Sequence, residues 1–180
     1  MPIIELQLNS TFLTASECLV LAENPQFANL KSLDLSCNPI TAKGLVYLID
    51  PAHTKFSEKL KHLTLYNCEI DHVQSNLISN EQLQSIKCEF NLKSLNLSHN
   101  SLGNFLNFIV EFDMIKSDCE HLLLNTCQLN DEQMINLASK NNGAMIAGLT
   151  TLDLSNNLLS CGFILLIRQL RESCDFLTNL

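Results

Sequence analysis

The feature that most constrains this chain is an eleven-residue pattern of leucine and asparagine that recurs along its length. In Leu92–Leu102, leucine occupies positions 1, 4, 6 and 11, and asparagine occupies position 9. Leu95 and Leu97 are two residues apart, so a strand places both side chains on one face of a sheet. Asn100 follows where the chain must turn, and its amide can bond backbone groups that no strand ladder reaches. The pattern therefore predicts a short strand followed by a turn.

Six copies of the pattern start near residues 3, 30, 60, 92, 119 and 149, and a seventh begins at residue 177. The steps between copies are 27, 30, 32, 27, 30 and 28 residues. One register held across the whole chain predicts that a single structural unit is repeated and stacked. The ninth position holds, in order, Thr11, Asn38, Cys68, Asn100, Cys127 and Asn157.

Two copies, Leu30–Ile40 and Leu149–Leu159, match L-x-x-L-D-L-S-x-N-x-L almost letter for letter, with Ile40 replacing the last leucine of the first. The chain thereby resembles the ribonuclease-inhibitor-like class of leucine-rich-repeat proteins. Residues 130–134 resemble the family's entry into its helix, although Thr11, Cys68 and Cys127 replace its asparagine. The resemblance implies an α/β fold: a right-handed leucine-rich-repeat solenoid with parallel strands on the concave face and helices on the convex face. One domain, residues 1–180, is expected.

Helical patterns follow the predicted strands. Thr14-Ala15-Ser16-Glu17 predicts a capped helix start, and Asp50-Pro51 predicts a helix end, because proline disfavours helix in the preceding residue. Residues 52–59 are predicted to be a polar loop or a short extra turn on the outer face. The predicted inward stripes are Cys18, Leu19, Leu21 and Ala22; Leu45 and Leu48; Val73, Leu77 and Ile78, extended by Leu83 and Ile86; Phe105, Phe108, Ile109 and Phe112; a helix over 131–140; and Phe163, Leu166, Ile167 and Leu170.

Charge and cysteine content narrow the possible partners. The formal net charge of −8 argues against nucleic acid and anionic membranes, which both attract basic surfaces. No apolar run approaches the roughly 18 residues of a membrane span, and the first residues lack the features of a signal peptide. The eight cysteines contain no C-x-x-C pair, which favours reduced thiols in the cytoplasm over a disulfide or zinc framework.

No catalytic arrangement is predicted. His62 and His121 share a strand column but lie two repeats apart, roughly 10 Å, which is too far to share a metal. Ser36, Ser98 and Ser155 lack the glycines of a nucleophile elbow, and the chain has no phosphate-binding loop. We therefore expect no enzyme, no cofactor and no metal, with an undetected enzyme as the minor alternative.

The concave sheet face carries the candidate binding residues. Most side chains there are small and polar, as on any solvated sheet face. The middle repeats differ because His62, Tyr66, His121 and Leu123, with His99 at a strand end, bring rings and apolar atoms together. The predicted partner-binding set adds Asn96 between these side chains and the acidic residues on either side, Asp34 and Asp153.

The predicted function is non-enzymatic binding of a protein partner through this concave sheet. The alternative is the substrate-targeting region of a larger enzyme, such as a ubiquitin ligase. The resemblance includes inhibitors of cytosolic enzymes, sensor regions of immune receptors and repeat proteins that intracellular bacteria inject into host cells. The irregular repeats favour the last group and a cytoplasmic location, in the host cytosol if the protein is injected. Because the repeats begin at Ile3 and break off at Leu180, either a longer native protein or end-to-end self-association is expected.

Overall fold

The repeats form a single parallel sheet with one strand per repeat. A computed structural model describes residues 2–71, 86, 88–140, 145–161, 164 and 167–168 of the 180. The sheet has six strands in chain order, and Leu33, Leu63 and Leu95 lie side by side in it. This arrangement confirms the α/β solenoid and its register. The strands are β1 Glu5–Gln7, β2 Ser32–Asp34, β3 His62–Thr64, β4 Ser94–Asn96, β5 His121–Leu123 and β6 Thr151–Asp153.

Helices follow four of the strands within the described residues. They are α1 Ala15–Glu23, α2 Thr41–Ile49, α3 Phe105–Glu111 and α4 Asp131–Ser139, and a 3-10 turn, Pro25–Phe27, follows α1. The capped start of α1 is confirmed, because Thr14 N–H donates to Glu17 Oε2 over 2.8 Å and Ser16 N–H donates to the Thr14 hydroxyl over 3.3 Å. Helix α2 ends at Ile49, immediately before Asp50-Pro51, as predicted.

Several sequence predictions fall outside the described residues. These are the third-repeat stripe of Val73, Leu77, Ile78 and Leu83, most of the sixth-repeat helix and the beginning of a seventh repeat. Within the described ranges, no helix has the length and apolar character that crossing a bilayer requires.

The core lies between the sheet and the helices. Leu95 and Leu124 are fully buried, as their place in the inward columns predicts. Leu19 is only half-buried, so α1 turns a narrower stripe inward than predicted. The segment predicted as a polar outer loop also needs correction: Phe56 is fully buried and stacks on Phe90 with 6.5 Å between ring centroids.

Asparagine at the ninth position joins each even-numbered repeat to the one before it. The Asn100 amide oxygen accepts from the N–H groups of Cys68 and Ile70 at 2.9 and 3.1 Å. Its amide nitrogen donates to the carbonyls of Leu65 and Leu97 at 2.7 and 2.8 Å. All four partners are backbone groups that the strand ladder leaves unbonded, as the sequence pattern predicted. Asn38 and Asn157 make corresponding contacts.

Cysteine occupies the same position in the third and fifth repeats and bonds differently. The thiols of Cys68 and Cys127 each donate to one carbonyl of the preceding repeat, Leu35 and Leu97 respectively, at 3.2 Å. Burial raises the pKa of Cys68 to about 12 and that of Cys127 to about 11. A thiol is a weak donor and offers the two neighbouring N–H groups no amide oxygen. Polar bonding between repeats therefore alternates along the stack.

Every described repeat turn contains a residue in the left-handed backbone region. It is the eighth residue of each repeat, and its φ lies between 52° and 60°. Such a conformation is uncommon for residues other than glycine and is tolerated best by asparagine and aspartate. Because this left-handed conformation recurs in all six repeats, it is a property of the repeated turn and not of one residue type. The six residues are Ser10, Cys37, Asn67, His99, Thr126 and Asn156.

Candidate functional site

The structure brings the predicted ring-bearing residues together on the sheet face that the helices leave uncovered. His62 pairs in register with Ser94, and Ser94 pairs with His121, so the two histidines flank one small residue. We define the central concave patch as His62, Tyr66, His99, His121 and Leu123. His62, His99 and His121 are exposed, whereas Tyr66 and Leu123 are half-buried.

Tyr66 and His99 form a ring pair at the carboxyl end of β3 and β4. Their ring centroids are 4.7 Å apart and the ring planes are inclined by 50°. The turn conformation holds His99 in place, with φ of 60° and its N–H donating to the Asn125 carbonyl over 2.9 Å. The pair presents a preformed apolar surface with two polar ends, which suits a binding anchor.

The side chains on the concave face between Tyr66 and β5 are the small Ser94, Asn96 and Ser98, and we infer from their size that the face is hollow there. Ser98 is 1% exposed, and its hydroxyl accepts from the Asn125 N–H over 3.3 Å. Asn96 pairs in register with Leu123, which stands on the far side. His121 is oriented by Thr151, whose hydroxyl lies 3.0 Å from the ring Nδ1.

The three remaining predicted residues, Asn96, Asp34 and Asp153, have a local structural role. Asp34 Oδ1 accepts from the Ser36 N–H at 2.9 Å, and Asn96 makes the corresponding bond from Ser98 at 3.0 Å. Asp153 accepts from the Ser155 hydroxyl and backbone and from the Asn125 amide; these bonds hold the pKa of its carboxyl below the usual range. Side chains of this type close the turn after a strand. Their recurrence in even repeats is thus explained by the fold.

A cleft opens beside the ring pair at the carboxyl ends of the strands. Its volume is about 310 Å³, and its lining includes the carboxylates of Glu69 and Asp71. Sequence reasoning missed both residues because they follow the repeat pattern's turn and not its strand columns. The lining residues are Asn67, Glu69, Asp71, His99, Asn100 and Ser101.

A column of lysines borders the opposite, amino-terminal ends of the strands. Lys31, Lys61 and Lys93 each immediately precede a strand in consecutive repeats. Lys93 Nζ lies 2.8 Å from Glu120 Oε1, and this contact raises the pKa of the lysine and lowers that of the glutamate. Sequence reasoning overlooked this column, although its regular signal is a lysine at the second position of three successive repeats.

In the described part of the chain, no three His, Cys, Asp or Glu side chains are grouped so that they could hold a metal ion. The seven described cysteines are unpaired, and Cys174 lies outside the described residues. Ring faces, amides and charged groups are what the concave face offers.

Comparisons with known proteins agree with this architecture. Leucine Rich Repeat family models match residues 28–48, 91–112 and 148–170. The crystal structure of an internalin from Listeria monocytogenes is similar, with a TM-score of 0.53 and 22% identity over 86% of this chain. The similar region spans 37% of the internalin chain. The repeats are leucine-rich repeats, and the fold is a leucine-rich-repeat solenoid.

Proposed function

We propose that this leucine-rich-repeat chain is a non-enzymatic module that binds a partner protein through the central concave patch. Leucine-rich repeats generally mediate protein–protein interaction. The proposal assigns that role to His62, Tyr66, His99, His121 and Leu123, with Asn96 in the hollow and Asp34 and Asp153 flanking it.

The observation that carries this proposal is the Tyr66–His99 pair beside the hollow. Tyrosine is enriched among residues that dominate binding energy, particularly where it is partly buried next to a space that a partner can fill. The two rings are packed together before any partner arrives, so binding needs little further ordering of them. An ordinary solvated sheet face needs no such ring pair.

The dimensions of the sheet support the same role. Six strands stacked at about 4.8 Å give a face roughly 25–30 Å long. A standard interface buries about 800 Å² on each partner. The described sheet is therefore long enough for one protein partner to bind across its middle strands.

The finer assignments rest on separate observations. The helices α1 to α4 support the ribonuclease-inhibitor-like class, in which a helix follows each strand. A cytoplasmic location is supported by the seven unpaired cysteines, because thiols stay reduced there. We further propose a host-directed bacterial effector, on the resemblance of its irregular repeats to injected repeat proteins. As a targeting region of a larger enzyme, the module would present the same patch to a substrate.

The proposal is tested by finding the partner in cytosolic extract and then measuring its Kd for purified variants. We expect Tyr66→Ala and Leu123→Ala each to weaken binding by more than about 1 kcal/mol, roughly fivefold. Tyr47→Ala is a matched control, since Tyr47 is also half-buried but lies on helix α2.

Thermal melting of each variant separates binding from folding. The expected result is weaker binding without a comparable loss of stability. If Lys55→Glu in the outer loop abolishes binding while both concave substitutions leave it intact, the partner binds elsewhere and the proposal is wrong.

A further inference from the structure

We propose that the partner places an acidic peptide segment along the lysine rim, defined as Lys31, Lys61 and Lys93. This inference rests on the proposed function and specifies the chemistry of the partner. It begins from the backbone, which stacks these residues in one column. Lys61 N–H donates to the Lys31 carbonyl at 2.8 Å, and Lys93 N–H donates to the Lys61 carbonyl at 2.7 Å.

Positive charge on this rim is only partly neutralised within the chain. Lys93 is paired with Glu120. The Lys61 ammonium donates to the neutral Asn91 carbonyl at 3.1 Å, and Lys31 is exposed and forms no ion pair with any described residue. Neighbouring strands lie about 4.8 Å apart, well inside the roughly 8 Å Debye length at physiological salt. Because the three side chains start from adjacent strands, an anion lying across the rim is attracted by more than one lysine.

A partner centred on the concave patch must extend to the ends of the strands. Each strand has three residues, which span about 10 Å. A contact area of about 800 Å² corresponds to a patch roughly 28 Å across, so it overlaps both ends. The carboxyl end offers Glu69 and Asp71, whereas the amino end offers lysine. Charge complementarity therefore places the acidic part of the partner at the amino end.

The overall charge of the chain favours a short acidic segment over an extended polyanion. The net charge of −8 repels nucleic acid and anionic membrane surfaces, which face many groups of the protein at once. For a peptide segment that contacts only the lysine rim, the electrostatic energy of binding depends mainly on the nearby charges, because more distant exposed charges are screened.

The experiment uses a fluorescein-labelled octaglutamate peptide as the probe and measures fluorescence anisotropy at low and physiological salt. A labelled peptide of alternating glycine and serine is the neutral control. We expect Lys31→Glu/Lys61→Glu to weaken octaglutamate binding by about tenfold, because two charge contacts become repulsive. Lys43→Glu/Lys55→Glu introduces the same change of charge at two exposed lysines outside the rim and is expected to change binding by less than twofold.

Equal binding of the octaglutamate and neutral peptides, or equal effects of the rim variant and Lys43→Glu/Lys55→Glu, would overturn the inference. Inorganic phosphate, a single-stranded oligonucleotide and phosphatidylserine vesicles are tested as competitors. Displacement of octaglutamate by any of these more effectively than by unlabelled octaglutamate also refutes a peptide partner.

This inference and the proposed function fail differently once a protein partner is available. Loss of partner binding in Tyr66→Ala but not in the rim double variant refutes the lysine inference alone. Retention of binding in both Tyr66→Ala and Leu123→Ala refutes the concave site itself. Circular dichroism checks that the rim variant is folded, because Lys31 is exposed whereas Lys61 is half-buried and donates to the Asn91 carbonyl.

Discussion

Replacing Asn100 with alanine tests how strongly one amide holds two repeats together. Asn100 is 3% exposed and bonds four backbone groups within 3.1 Å, with a longer contact of 3.4 Å to the Ser98 carbonyl. Alanine leaves the N–H groups of Cys68 and Ile70 and the Leu65 carbonyl without that partner, whereas the Leu97 carbonyl keeps the Cys127 thiol. A buried polar group without a partner costs about 1–3 kcal/mol, so three such groups predict a loss of about 3–9 kcal/mol.

The measurement is urea unfolding followed by circular dichroism, with Asn157→Ala as the matched control. Asn157 has the same bonding pattern but is only half-buried, so water can replace part of what the amide supplied. We expect its loss of unfolding free energy to be about 1–3 kcal/mol. A change below about 1 kcal/mol for Asn100→Ala, or one no larger than that of Asn157→Ala, would refute the bonding argument.

Asn100→Asp adds a pH-dependent check on the same site. Burial and the Leu65 and Leu97 carbonyl oxygens favour the protonated, donating form of its carboxyl, whereas the Cys68 and Ile70 N–H groups favour the carboxylate. We expect burial and the carbonyls to dominate and to raise its folded pKa above the unfolded value of about 3.9. Relative to wild type, the variant should be most stable below that unfolded value and should lose stability as pH rises through its folded pKa. Urea midpoints across this range measure the difference, and a pH-independent difference contradicts the reasoning.

Three further predictions follow from the core. Leu95→Ala and Leu124→Ala should each lower unfolding free energy by about 2–5 kcal/mol, because both side chains are fully buried; urea melts within about 0.5 kcal/mol of wild type would show the register to be wrong. Gly148→Ala should lower the unfolding free energy more than Gly44→Ala in the same melts. A Cβ at position 148 would lie 1.9 Å from the rigid Ser117 carbonyl oxygen, whereas a Cβ at position 44 would lie 2.5 Å from a side-chain methyl of Ile40. The reverse order of stability would contradict this argument. Thiol titration of the native protein should leave five cysteines slow to react, because burial raises the pKa of each thiol to about 11 or 12; they are Cys18, Cys68, Cys88, Cys119 and Cys127. Denatured, non-reduced protein should titrate all eight cysteines, and a count of six or fewer would contradict the unpaired state.

The strands and their register could be predicted closely from sequence, because they depend on spacing that repeats. Leu95 and Leu124 lie where the inward columns place them, and Thr14 caps α1 through a local motif. Each of these features depends on residues within a few positions, or on one offset that the whole chain obeys. Neither kind of information predicts that Phe56 is buried. It lies among polar residues in the sequence, and Phe90, from another repeat, packs against it.

The sequence predicted which side chains share the concave sheet face but not how they contact one another. Strand alternation was sufficient to bring His62 and His121 to one face. The contact between Tyr66 and His99 depends on a left-handed turn, and the bonds of Asp34 to Ser36 follow from the same turn geometry. Residue spacing does not encode turn conformation, so sequence reasoning treated Asp34 as a recognition residue without its structural role.

The alternation of asparagine and cysteine also determines how this solenoid can change length. Asparagine joins repeats one to two, three to four and five to six, whereas cysteine stands at the two junctions between those pairs. Deleting the third, fourth or fifth repeat would place two asparagine junctions or two cysteine junctions in succession. Deleting or duplicating two consecutive repeats there keeps the alternation. Within the middle of the array, the smallest unit that can be gained or lost without changing the alternation is therefore a pair of repeats.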